Sequence, residues 1–164
     1  MNIFYLFFLV LVHAGFQCSS DEADTFNDEV HWFKLSEAQE KSKKDGKPLF
    51  IFVEAEWCGI CKRMQNTVFL HPENFDLLKN NYHPVLIDLD SRKTVRFNGE
   101  ELTERNFARI LQVQQTPTMI FIAADGEVMG RQPGFMNREE LKNLLLYVRS
   151  DQFGLIPLSE FQGN

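Results

Sequence analysis

"EWCGICK", residues 56–62, sets two of the chain's three cysteines three residues apart behind a tryptophan. That spacing suits half of a metal site, a small structural staple or a redox centre. The run just before it, "PLFIFVEAEW" (residues 48–57), is apolar and of strand length. No proline follows until Pro72, and a helix is expected from Cys58 to about Thr67. A strand that runs into a helix at the pair places Cys58 at the helix N-terminus. Unpaired backbone N–H groups and the helix dipole favour an anion there. The thiol is thereby acidified, and the thiolate is the nucleophile. Cys61 falls on the same face one turn in, placed to attack a mixed disulfide on Cys58. Gly59 and Ile60 set the tightness of the turn. Trp57 either shields one side of the site or packs into the core.

The other two readings fit the residues less well. A structural zinc site takes four ligands, usually from two such pairs. Here there is one pair, and His31, His71 and His83 form no H-x3-H spacing. A disulfide that closes so short a loop removes little chain entropy. No metal and no cofactor is expected.

The bulk properties narrow the class. A length of 164 residues suggests one domain plus a processed segment, and 44% hydrophobic residues can bury a core without disulfides. The net charge of −6 argues against nucleic acid or an anionic membrane surface as partner. Residues 3–12, "IFYLFFLVLV", are too short for a membrane span and suit the core of an export signal. Residues 1–20 are therefore read as a signal peptide, although no Lys or Arg precedes Asp21. Cys18 is a candidate lipid acceptor, but Gln17 is not the small residue such a signal places before the cysteine. The alternative is removal of Cys18 with the signal. Membrane association is expected only if Cys18 is lipidated. Residues 21–29 read as a flexible leader, 30–149 as the domain and 150–164 as a tail.

Within the domain the expected order is helix, strand, helix, helix, strand, helix, strand, strand, helix. The first helix starts at Ser36, in capping-box spacing with Gln39, and stops at Gly46 and Pro48. "HPENFDLLKNNY" is a short helix after Pro72, and "HPVLIDLD" a second strand. Residues 91–100 are a loop with room for a short hairpin. A helix over about 103–111 precedes the strand "TMIFIA", a turn at Asp125-Gly126 and the strand "EVMG". Asn137 and Glu140 cap the last helix, whose apolar face is Leu141, Leu144, Leu145 and Val148. In the tail, Phe153, Leu155, Ile156 and Phe161 could dock on the domain or on a partner. The fold class is α/β, a mixed sheet of about four to five strands with helices on both faces.

"VEAEWCGICK" resembles the active-site segment of the thioredoxin superfamily. The likeness continues through "QTPT" and "DGEV" to "PGFM" and covers about residues 30–149. It is nearest to the secreted, SoxW-like thioredoxins and to the C-terminal domain of the envelope's transmembrane thiol–disulfide reductase. The resemblance implies a thioredoxin-like fold and a redox-active Cys58–Cys61 disulfide supported by Trp57, Gly59, Ile60 and Lys62. It implies a cis Thr116-Pro117 bond facing Cys58, and matches Gly134 to a family glycine near the active site. This sequence also departs from the pattern. Phe52 stands where cytosolic thioredoxins bury an aspartate, Leu86 stands at the matching lysine, and Ile60 replaces the usual proline. The usual proton acceptor for Cys61 is thus absent, and Glu54 is the candidate proton relay. Glu56 reads as a solvated charge.

The expected function is that of an exported thiol–disulfide oxidoreductase, a monomer in the bacterial envelope or secreted. It would reduce disulfide-bearing client proteins and draw electrons from a membrane thiol reductase. Only one helix and a loop fit between Asp90 and Pro117, where a strong oxidase often has a large helical insertion. An oxidase or isomerase would use the same residues. A binding module of the same fold is the alternative outside enzymes, and it would need neither Cys58 nor Cys61.

Overall fold

The structure is a computed structural model and describes residues 29–163. The expected signal peptide, Cys18 and all but the last residue of the leader lie outside the described residues. The backbone forms helix α1 (Leu35–Asp45), strand β1 (Leu49–Glu54) and helix α2 (Gly59–Arg63) with its continuation Met64–Phe69. Then come α3 (Pro72–Asn81), β2 (His83–Asp88), β3 (Thr94–Phe97), β4 (Glu100–Thr103) and α4 (Glu104–Ile110). The chain closes with β5 (Thr118–Ile122), β6 (Val128–Pro133) and α5 (Arg138–Arg149).

Four strands make the central sheet in the order β2-β1-β5-β6, with β1 parallel to β2 and the other neighbours antiparallel. Strand β1 is thus hydrogen-bonded along both edges. Its side chains alternate between two cores, as strand geometry requires. Phe50 and Phe52 point to the face covered by α2, α3 and α5, where Phe69, Leu78, Tyr82 and Leu145 complete the packing. Leu49, Ile51 and Val53 point to the other face, against Leu35 and Ala38 of α1 and Phe107 and Ala108 of α4. A strand buried on both faces reads as a continuous apolar run rather than an alternating one, and "LFIFV" is such a run. The mixed sheet with helices on both faces is the fold expected from the sequence.

Several details differ from the sequence expectation. α1 begins at Leu35 with Lys34 as its N-cap, and no side chain caps it. Leu35 is buried, so packing draws the first turn one residue upstream of the expected cap at Ser36. The chain entering α1 is held instead by the Phe33 N–H, which donates to the Pro84 carbonyl at 2.8 Å. Gly46 ends α1 at φ 74°, a left-handed conformation that costs glycine little.

The helix after Cys58 runs past Thr67 to Phe69, and its second half is a π-helix. Widening the turn to i→i+5 bonding brings Val68 and Phe69 to the same side as Met64, and all three are buried. Residues 94–103 form a two-stranded antiparallel hairpin where mostly loop is expected. Its turn, Asn98-Gly99, has positive φ at both residues, and Gln39 of α1 bonds Asn98 from both ends of its amide. The tail folds back on the domain. Phe153 and Phe161 both pack on Tyr147, while Leu155 faces solvent.

The expected capping box at Asn137 and Glu140 is present in full. α5 is tied to α3 by the buried Tyr82 hydroxyl, which donates to the Leu145 carbonyl. Tyr82→Phe removes that bond with little change of shape. It is expected to cost about 1 kcal/mol of stability, read as a lower urea midpoint at unchanged slope.

Candidate active site

The site is built where β1 ends. Alternation carries Val53 and Glu54 to the last paired positions, and the Leu89 N–H closes on the Glu54 carbonyl at 2.8 Å. The chain then turns. The Cys58 N–H donates to the Ala55 carbonyl at 2.9 Å, and Cys58 becomes the N-cap of α2. Cys58 and Cys61 are joined in a disulfide with Cα atoms 5.3 Å apart. The Cys61 N–H lies 3.2 Å from Cys58 Sγ and donates to it. That donor is one of the unpaired amides of a helix start, and it remains to stabilise negative charge on Sγ when the pair is reduced. Cys58 is 5% exposed and Cys61 is fully buried, so the two sulfurs differ in access.

The neighbours form an exposed rim. Trp57 is 71% exposed and Ile60 55%, with Gly59 and Lys62 also on the surface. Trp57 is therefore no core residue. Its indole Nε1–H donates to Asp90 Oδ2 at 2.8 Å, and Arg105 lies 3.8 Å from the same carboxylate. Sequence reasoning does not find Asp90, which is 33 residues away. The signal it leaves is an acidic residue two positions past the end of β2, the strand parallel to β1.

Thr116-Pro117 is a cis bond. The β1–β5 register pairs Val53 with Thr118, which carries Pro117 to the level of Glu54 and the start of the cysteine turn. The Gly134 N–H donates to the Pro117 carbonyl at 2.8 Å, and Gly134 has φ 93°. The strained-for-others backbone at Gly134 thus holds the proline loop from β6. Met136, two residues on, is buried in the cluster that contains both cysteines.

The β1–β2 register sets Phe52 directly beside Leu86. The two positions that the resemblance sets against a buried aspartate and its lysine are therefore apolar on both strands. Glu54 lies two residues further along on the same face as Phe52, toward the cysteines. Gln65 Nε2 donates to Glu54 Oε2. Burial holds the Glu54 carboxyl above the ordinary glutamate range, the Gln65 hydrogen bond pulls it down, Asp88 pushes it up and Lys62 lowers it again. Gln65 is a second residue the motif does not announce. It stands seven positions after Cys58, two helical turns along.

A family model described as a thioredoxin-like domain matches residues 35–149. The disulfide bond reductase DsbH of Chlamydia pneumoniae is 30% identical over 111 residues, 64% of this chain and 65% of that protein. The chain spans less than two thirds of the length of the first curated relatives it matches. A solved DsbH oxidoreductase superposes with a TM-score of 0.52 at 25% identity, over 64% of this chain and 73% of that one. A thioredoxin from Thermus thermophilus superposes with a TM-score of 0.61 over 77% of this chain and 91% of its own, and at 24% identity it speaks for the fold alone.

The raised Glu54 value has a consequence for stability. Glu54 titrates higher in the folded chain than in the unfolded one, so its ionised form is unfavourable to folding near pH 7. That disadvantage disappears as the pH falls through the folded value. Glu54→Gln is expected to raise the stability at pH 7 and to have no such effect below about pH 4, where both states are protonated. Urea unfolding at a series of pH values checks the sign.

Proposed function

Because the chain belongs to the thioredoxin-like domain family, we propose that this protein-disulfide oxidoreductase works as a reductant of protein disulfides outside the cytosol. The observation that carries the reading is the Cys58–Cys61 pair at a helix start, with the Cys61 amide aimed at Cys58 Sγ. Cys58 is the nucleophile and Cys61 the resolving thiol. In the reduced protein the Cys58 thiolate attacks one sulfur of a client disulfide. A Cys58–client bond forms and the other client sulfur leaves as a thiolate. Cys61 gives up its proton and attacks Cys58 Sγ, which releases the client's second thiolate and leaves the Cys58–Cys61 disulfide. Two electrons pass to the client, and a dithiol donor must return them. A membrane thiol reductase of the envelope is the class of donor that an exported protein can use.

Glu54 takes the Cys61 proton through water. Its raised carboxyl and its position beyond the Phe52–Leu86 pair support that role. Trp57, Gly59, Ile60 and Lys62 frame the attacked disulfide, and the backbone before the cis Thr116-Pro117 bond receives the client chain. The segment between β2 and β5 holds only a hairpin and α4, which supports reduction over strong oxidation. The "GFM" segment supports a place among secreted, SoxW-like thioredoxins. The apolar run of residues 3–12 supports export to a bacterial envelope. No helix among the described residues is long and apolar enough to cross a membrane.

Two variants test the chemistry. Cys61→Ser is expected to accumulate a covalent client complex that thiol reductants release, and Cys58→Ser is expected to form none. Glu54→Gln is expected to slow resolution roughly tenfold, less than the loss of a directly placed general base. Equilibration of the full chain with thiol buffers gives the direction. A potential of about −270 to −220 mV fits a reductant, and one near about −120 mV makes the protein an oxidant instead.

A further inference from the structure

An open groove of ≈560 Å³ runs between the helical segment that follows Cys61 and the segment that opens α5. Arg63, Thr67 and His71 line one wall, and Phe135, Arg138 and Glu139 line the other. The chain links the groove to the redox site on both walls. Arg63 stands one turn after Ile60 on α2, at i+3, so this wall starts next to the exposed residue between the cysteines. Phe135 follows Gly134, whose N–H is bonded to the Pro117 carbonyl.

The charge of the groove is opposite to that of the chain. The whole chain carries −6, yet this groove sets two guanidinium groups against the one carboxylate of Glu139. The Arg63 guanidinium lies over the Phe135 ring, 5.1 Å from its centroid. Stacking on a ring leaves the in-plane N–H donors of arginine unspent. Arg138 Nε donates to the Thr67 carbonyl at 3.2 Å, which fixes its stem across the groove and leaves the terminal nitrogens. Among the described residues neither guanidinium has a carboxylate within ion-pair distance. Glu140, the next acid along, is occupied in the capping box. Glu73 is held by Lys142 at 2.8 Å.

We propose that this groove is a client subsite that receives an acidic side chain flanking the attacked cysteine, with Arg63 and Arg138 as its specificity-determining residues. The proposal deepens the function given above and rests on it. A client carboxylate would meet two fork-shaped donors, while Phe135 covers the apolar stem of the side chain. The surface would then discriminate among disulfides that Cys58 alone could not tell apart.

The test uses oxidised peptides that differ only in carrying Glu, Gln or Lys at successive positions flanking the attacked cysteine. Their reduction by the full chain is followed as kcat/KM at low and high salt. At the best position the Glu peptide is expected to react about fivefold faster than the Gln peptide, and the preference to shrink as salt screens it. The ratio within one protein cancels any general loss of activity in a variant. Arg63→Gln and Arg138→Gln are expected to reduce that ratio toward one, Arg63→Lys to keep part of it, and Arg63→Glu to turn the preference toward the Lys peptide. Equal rates for all three peptides, or a Glu preference that survives both Gln variants, overturn the groove. A small aromatic disulfide run in parallel separates the two levels. Failure to reduce it overturns the oxidoreductase reading together with the groove, whereas ordinary reduction with equal peptide rates overturns the groove alone.

Discussion

Strand β1 is the constraint on which the rest depends. It is hydrogen-bonded along both edges and buried on both faces, so it has no freedom to shift along its length. A slip of one residue would exchange the two cores. Because β1 cannot slip, the turn after Glu54 begins at a fixed height, and so does α2. The cysteine pair, the cis-proline loop and the Trp57–Asp90 contact all take their positions from the end of this one strand. The reactive residues themselves lie in a turn and a short helix, which have little rigidity of their own. The strand supplies it.

The same strand positions the proton relay proposed for Glu54. With Phe52 beside Leu86, no charged residue among the described residues is buried in the core cluster that holds Cys61. The proton relay proposed above lies instead at the strand end, where Glu54 accepts from Gln65. This arrangement trades a deeply buried acid for one near the surface. A buried ionisable group is costly to fold around, and the apolar pair avoids that cost while the carboxyl remains within the same face of the sheet.

How much of this could be read from the sequence follows from how local each feature is. The strand–turn–helix around "WCGICK" is determined by neighbours in the chain, and it was legible. So was the last helix, whose cap residues and apolar stripe lie within one short segment. The start of α1 was not, because the local capping rule names Ser36 while the burial of Leu35 against the sheet is a tertiary effect. The π turn was invisible for a related reason. A 3.6-residue period and a wider one differ little over six residues, and only the packing of Val68 and Phe69 together shows which is used. The hairpin at 94–103 had its Asn98-Gly99 signal, but its flanking residues alternate weakly and half exposed. Asp90 and the Arg63–Phe135 wall are contacts between distant segments, which no spacing rule reaches.

The sheet also separates two packing compartments, and this has a bearing on how such a protein can change over generations. One compartment contains both cysteines, α5 and the docked tail; the other contains α1, α4 and the flank of the hairpin. Substitutions on opposite sides of the sheet share few neighbours, so their effects should combine nearly additively. The hairpin side should therefore tolerate alterations with little effect on the sulfur chemistry on the far side, except at Arg105 of α4, which meets the Asp90 carboxylate that holds Trp57. In evolutionary terms such a molecule should behave as two modules with a common wall, one bound to the chemistry and the other comparatively free to drift.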